Sequence, residues 1–234
     1  MENSSLLSVR VRLRHRTILR NIYMWMTLGL SLTALVAWGV SKSPAFIEAL
    51  FGRGIVPILL LSLGIVILVF TLSRNIMRMS VGGAVGGFLL YSVLNGLLCS
   101  SIFAIYTKHA IFQAFAVSAG MFAFMSLWAL TTRRDLSGWG HYLFMALIGL
   151  IITGVLGIFI GGKTYQFLYS AIGVVLFTAL TAYDTQMFKR MSDNASADTD
   201  ESDFTRLSIL GALKLYLDFI NMFLFMLRLF GRRN

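Results

Sequence analysis

The sequence predicts an all-α integral membrane protein, a bundle of seven transmembrane helices. Of its 234 residues 57% are hydrophobic and 13% charged, and the mean hydropathy is +0.78. That is more apolar surface than a soluble domain of this size can hide. Seven apolar runs are close to or beyond the roughly 18 residues that read as a spanning helix. They cover residues 22–40, 55–72, 81–106, 110–131, 142–160, 165–183 and 207–230. The connections are short and polar, so residues 22–234 are expected to form one domain behind a basic cytoplasmic N-terminal segment at 1–21.

The first run follows Arg10, Arg12, Arg14, Arg16 and Arg20, the order found in a cleavable signal. Its apolar core is too long for an ordinary signal, and no small-x-small cleavage pattern with a polar mature domain follows. It is therefore expected to stay as helix 1. The third run opens with Gly82, Gly83, Gly86 and Gly87, and at the end of the fifth Gly157 is followed at the same spacing by Gly161. Small residues at this spacing let helix backbones approach in lipid, where burial of apolar area gives no drive for association. The single cysteine, Cys99, excludes an internal disulfide.

A net charge of +10 is compatible with nucleic acid, but the cations lie at helix ends and loops, where topology explains them. With the N-terminus inside, the inner segments hold Arg10 to Arg20, Arg74, Arg78, Arg133, Arg134, Lys189, Arg190 and Arg206. The outer loops hold only Lys42, Arg53, Lys108 and Lys163. A multi-pass protein of the inner (plasma) membrane with a cytoplasmic N-terminus is expected, with the bilayer as partner and no nucleic acid. Seven full spans put Arg232 and Arg233 outside, whereas a re-entrant last helix would keep them inside. The length of the last run favours a crossing.

Asp184 and Asp218 are the only acids at the edge of or inside the apolar runs; the other eight lie in polar segments or at the N-terminus. A carboxylate at bilayer depth costs about 3 kcal/mol by insertion scales, so function is the default reading. Asp184 closes the sixth run and Asp218 lies well inside the seventh. Structural roles are also open to them. Asp218 can pair with Lys214 one helical turn earlier, and Asp184 can act as a polar cap at the water interface.

The residues Leu180-Thr181-Ala182-Tyr183-Asp184-Thr185-Gln186, the residues Leu215 to Phe223 around Asp218, and Arg20-Asn21-Ile22-Tyr23 at the start of helix 1 resemble the Bax inhibitor motif family of membrane proteins, in a bacterial form. The similarity extends over essentially the whole chain. It implies seven helices with the last in or near the centre, and a pH-sensitive calcium leak pathway with Ca2+ as the transported ion and no cofactor. It also implies that Asp184 and Asp218 form a hydrogen-bonded proton sensor near the cytoplasmic end of the pore. An arginine at the inner end of helix 2 would contact the first aspartate. Arg74 and Arg78 both fit that role, and Arg78 is preferred.

Elementary chemistry is compatible with those implications. Two carboxylates held close together cannot both ionise cheaply, so the pair shares a proton. Once the proton is lost, Asp184 and Asp218 offer oxygen ligands of the kind that Ca2+ takes. A membrane aspartyl protease also places two such aspartates on adjacent helices. Here Leu215-Tyr216-Leu217-Asp218 lacks the glycines of the second protease element, and no enzymatic activity is expected. A third reading is a regulator that binds or inhibits a membrane protease or cell-death factor. His15, His109 and His141 share no metal-ligand spacing. The acid-rich stretch from Ser192 to Asp203 lacks the glycine and closing glutamate of an EF-hand loop, so it is expected to be a solvated linker.

Overall fold

The computed structural model describes residues 2–52, 54–193 and 200–231, with side chains for all of these except residues 2–17 and 158. The side chains of Arg10 to Arg16 and of His15, together with Arg53, Arg232, Arg233 and the centre of the acidic linker at 194–199, lie outside the described residues.

The described residues form helices in the order α1 (Glu2–Ser41), α2 (Pro44–Ile47), α3 (Val56–Asn75), α4 (Val81–Cys99), α5 (Ile102–Ile105), α6 (Lys108–Thr131), α7 (Gly140–Ile160), α8 (Lys163–Asp193) and α9 (Glu201–Phe230). Seven of them, all but α2 and α5, are long and apolar enough to cross a membrane. The expected seven-helix class is therefore met, and α9 is an unbroken helix of 30 residues. It is also the most buried span, with 72% of its most apolar window inside the protein against 39% or less for the others.

Helix ends follow local chemistry. Pro57 lies in the first turn of α3, where its missing N–H costs nothing. The Ser80 hydroxyl accepts from Gly83 N at the start of α4, and Thr107 does the same for Ala110 N at the start of α6. Gly161 and Gly162 have φ of +62° and +101°, which glycine supplies at the turn between α7 and α8.

Two boundaries differ from the sequence reading in ways that matter. The sixth apolar run ends at 183, yet α8 continues to Asp193, because Gln186, Lys189 and Arg190 are good helix formers that leave the apolar window without leaving the helix. Asp184 is therefore inside a helix and is no terminal cap. In addition, α3 ends at Asn75 and a 3-10 turn covers Ile76–Arg78.

The chain divides into two compact units. The first comprises Met1–Ile105 and Met191–Tyr216, and the second Tyr106–Arg190 and Leu217–Asn234. In the first, α1 packs on α4, and a Cβ on Gly96 would come within 2.9 Å of the Thr33 carbonyl, so only glycine permits this approach. The Thr33 hydroxyl meets the Ser92 carbonyl at 2.8 Å and the Tyr216 hydroxyl at 2.7 Å. Tyr216 is fully buried, edge-on to Phe88 and Tyr91. Of the four glycines that open α4, only Gly87 lies against another helix among the described residues, through Leu72 of α3; a Cβ on Gly82 or Gly86 would meet none of them within 4 Å. Gly157 receives Tyr165, a contact that adjoining helices make across a turn.

Candidate functional site

In the second unit, α8 and α9 run antiparallel, and their register can be read from aromatic contacts. Phe225 of α9 stacks on Phe177 with ring centroids 5.9 Å apart and meets Tyr169 edge-on at 5.3 Å. A Cβ on Gly173 would come within 2.7 Å of the same ring. One turn along, Thr178 Oγ1 approaches Met222 Sδ at 4.0 Å. Tyr169, Gly173 and Phe177 are spaced by four, so one stripe of α8 faces Phe225.

Asp184 follows Phe177 by seven residues, and Asp218 precedes Phe225 by seven. Seven residues are about 10 Å of helix and bring a side chain back to within about 20° of its starting face. Because the helices are antiparallel, both steps lead the same way. Asp184 and Asp218 therefore lie about two turns from the Phe177–Phe225 contact in the same direction, on the stripes of α8 and α9 that carry those rings. Both are buried, with 7% and 4% of their surface exposed, and neither is without an interacting partner.

The third helix here is α6. Its Phe115 and Phe122 flank Phe219 edge-on at 5.5 and 5.7 Å. Buried hydroxyls accompany the aspartates: Ser126 Oγ lies 3.4 Å from Thr185 Oγ1, and Thr181 bonds the Phe177 carbonyl at 2.8 Å. Ser118 on α6 and Ser170 on α8 are also buried, and their Oγ atoms have no hydrogen-bond partner among the described residues. Hydroxyls that can turn between donor and acceptor can follow a change in carboxylate charge.

Beyond Asp184, α8 clamps the connection between α6 and α7. Gln186 donates from Nε2 to the Arg134 carbonyl at 2.8 Å and accepts at Oε1 from Leu136 N at 2.7 Å. Lys189 donates to the Leu130 carbonyl at 2.6 Å, a cation at the carbonyl end of α6. Arg190 forms an ion pair with Asp135 and also bonds Gln186. The Ser137 backbone and side chain, with Arg190, lower the Asp135 carboxyl to about 2.

The sequence profile of the family described as inhibitor of apoptosis-promoting Bax1 matches residues 15–234. The chain belongs to the Bax inhibitor family. Among its relatives, the inner membrane protein YbhL of Escherichia coli is 45% identical over 226 residues, which is 97% of this chain and 96% of that protein. An uncharacterized protein of Borreliella burgdorferi is 38% identical over 92% of each chain, and one of Deinococcus radiodurans is 38% identical over 94% of this chain and 92% of its own. This member of the Bax inhibitor family is thus a multi-pass inner membrane protein.

Arg74, at the end of α3, and Arg78, in the 3-10 turn, are exposed residues of the first unit. Lys214 is half-buried on α9 one turn before Asp218. Among the described residues no group of three or more His, Cys, Asp or Glu side chains could hold a metal ion.

The sequence reading did not single out Ser118, Ser126, Ser170 or the clamp formed by Gln186, Lys189 and Arg190. A single serine in an apolar helix carries little signal, because its hydroxyl can bond its own backbone. The repeat of Ser118 and Ser126 at eight residues on α6 was the available hint.

Proposed function

We propose that this protein conducts cations, with Ca2+ as the transported ion, under the control of a proton shared by Asp184 and Asp218. The observation that supports this reading most directly is the burial of both aspartates on the stripes of α8 and α9 that meet at Phe177 and Phe225, each seven residues from that contact in the same direction. Two carboxylates so arranged hold one proton more readily than two charges, because like charges at close range in a poorly solvated site are costly. Loss of the proton replaces a hydrogen bond with repulsion, or with a site for a hard cation. Ca2+ takes six to eight oxygens. The two aspartates would supply a part of that shell, and water, carbonyls and the hydroxyls of Ser126 and Thr185 are the natural complement. Such a site passes an ion through and does not store it. The N-terminus is assigned to the cytoplasm, which puts the clamp of α8 and the aspartates toward the cytoplasmic side. No catalytic step is assigned to the pair.

Purified protein in liposomes loaded with a Ca2+ indicator tests the proposal. Flux that depends on pH is expected across about pH 5 to 8. Absence of flux at every pH would favour the second reading, a regulator that binds another membrane protein, which the family's description supports.

A further inference from the structure

We propose that the cavity bounded by α6, α7 and α8 in the second unit is a binding site for one phospholipid with an anionic headgroup. The cavity encloses about 550 Å³, within the range of small-molecule sites. Trp128, Leu143, Ala179 and Ala182 supply apolar wall, and Arg134 and Asp135 stand at its polar end.

The walls run on into surface that a bilayer must cover. Phe124, one turn before Trp128 on α6, is 68% exposed, and Val175, one turn before Ala179 on α8, is 69% exposed. Both helices are membrane spans, so these side chains meet acyl chains and the cavity continues the same faces. Lipid is the solvent there, and a hydrocarbon-lined recess opening on it accepts a chain without any transfer from water.

The polar end selects the headgroup. Asp135 is engaged by Arg190 and by Ser137 N, so its charge is already compensated. Arg134 is exposed and has no carboxylate partner among the described residues, while Gln186 holds its backbone carbonyl in place. A guanidinium carried on an anchored stretch of backbone beside an apolar recess suits a phosphate, to which arginine can donate two parallel hydrogen bonds. Arg133 adds a second positive charge next to it. Trp128 and Trp139 give the site the amphipathic rings found at headgroup level. An inorganic anion would satisfy Arg134 and leave the walls bare; a neutral lipid would fill the walls without drawing on Arg134.

Tryptophan quenching reads both halves of the site. Trp25, Trp38 and Trp139 are replaced by Phe so that Trp128 alone emits, and the protein is reconstituted in vesicles of phosphatidylcholine doped with brominated phosphatidylglycerol or with brominated phosphatidylcholine of the same chains. Stronger quenching by the brominated phosphatidylglycerol is expected, and Arg134→Gln should weaken that preference by about tenfold, the value of one charge-assisted hydrogen-bonded contact. Ala179→Phe, which fills the recess from its half-buried rim, should protect Trp128 from both lipids. Native mass spectrometry of the chain with all its tryptophans should show retained phosphatidylglycerol that is lost in Arg134→Gln. Equal quenching by the two lipids, a headgroup preference that survives Arg134→Gln, or quenching untouched by Ala179→Phe would each overturn the assignment. If the tryptophan replacements prevent folding, the mass spectrum decides alone: no retained phosphatidylglycerol overturns it.

Discussion

Phe177 and Phe225 stack at 5.9 Å between antiparallel helices, and each is seven residues from an aspartate. That ring pair sets the register of the stripes that carry Asp184 and Asp218. A shift of α9 by one turn would move Asp218 by about 5 Å along α8. Phe225→Ala should therefore lower stability by about 3 to 5 kcal/mol, as deletion of a buried aromatic does. Under the proposed function it should also broaden the pH response. Thermal unfolding in detergent and flux in liposomes report the two effects separately.

Asp135 provides an internal control. Its folded value of about 2 lies below the ordinary 3.8, so whatever its ion pair with Arg190 contributes is present above the ordinary value. That contribution is lost only as pH falls through about 2. Across about pH 5 to 8 its charge is constant. Asp135→Asn should leave the pH midpoint of flux where it was; a shifted midpoint would place the control at the clamp.

Gln186 is 6% exposed and ties both Arg134 and Leu136 to α8. Gln186→Leu leaves a backbone carbonyl and a backbone N–H without that partner, and each such group costs about 1 to 3 kcal/mol when it stays buried. A clear fall in melting temperature is expected. An unchanged melting temperature would mean that water replaces the clamp at no cost.

Much of this fold was legible in the sequence because the bilayer enforces a simple rule: a span must be apolar along about 20 residues, and seven runs obey it. The ends of α8 and α9 were not legible, since Gln186, Lys189 and Arg190, or Glu201 and Asp203, continue a helix in water where hydropathy gives no signal. Asp184 and Asp218 stood out by their cost in lipid. The register of their two helices did not, because it depends on which stripe of α8 receives Phe225, a packing choice that no single helix encodes. The glycines of α4 carried the same ambiguity: small residues permit close approach, and among the described residues Gly87 is the one that meets a neighbouring helix.

Lys214 separates two accounts of Asp218. A buried ion pair with Asp218 would make Lys214→Met cost about 3 to 5 kcal/mol by stranding a charge, with rescue on adding Asp218→Asn. In the proton-sharing account Asp218 shares its proton with Asp184 and does not depend on the half-buried Lys214 to offset a charge. The expected outcome is a small change in melting temperature and no rescue.

The arginines at the end of α3 are tested by the sign of a shift. A guanidinium near the pair favours its ionised form, so replacing the true partner by alanine should move the flux midpoint to higher pH. Arg78→Ala is expected to do so and Arg74→Ala to have little effect, since exposed pairs contribute about 0 to 1 kcal/mol. Equal shifts would show that general positive potential acts on the pair.

The most direct test is the pH profile of Ca2+ flux into liposomes for the unaltered protein, Asp184→Asn, Asp218→Asn and the double variant, across about pH 5 to 8. If one shared proton controls the path, each single substitution flattens the profile and the double variant adds little, because one coupled unit is already broken. Unaltered pH dependence in both single variants, or fully additive effects of the two, would contradict a shared proton.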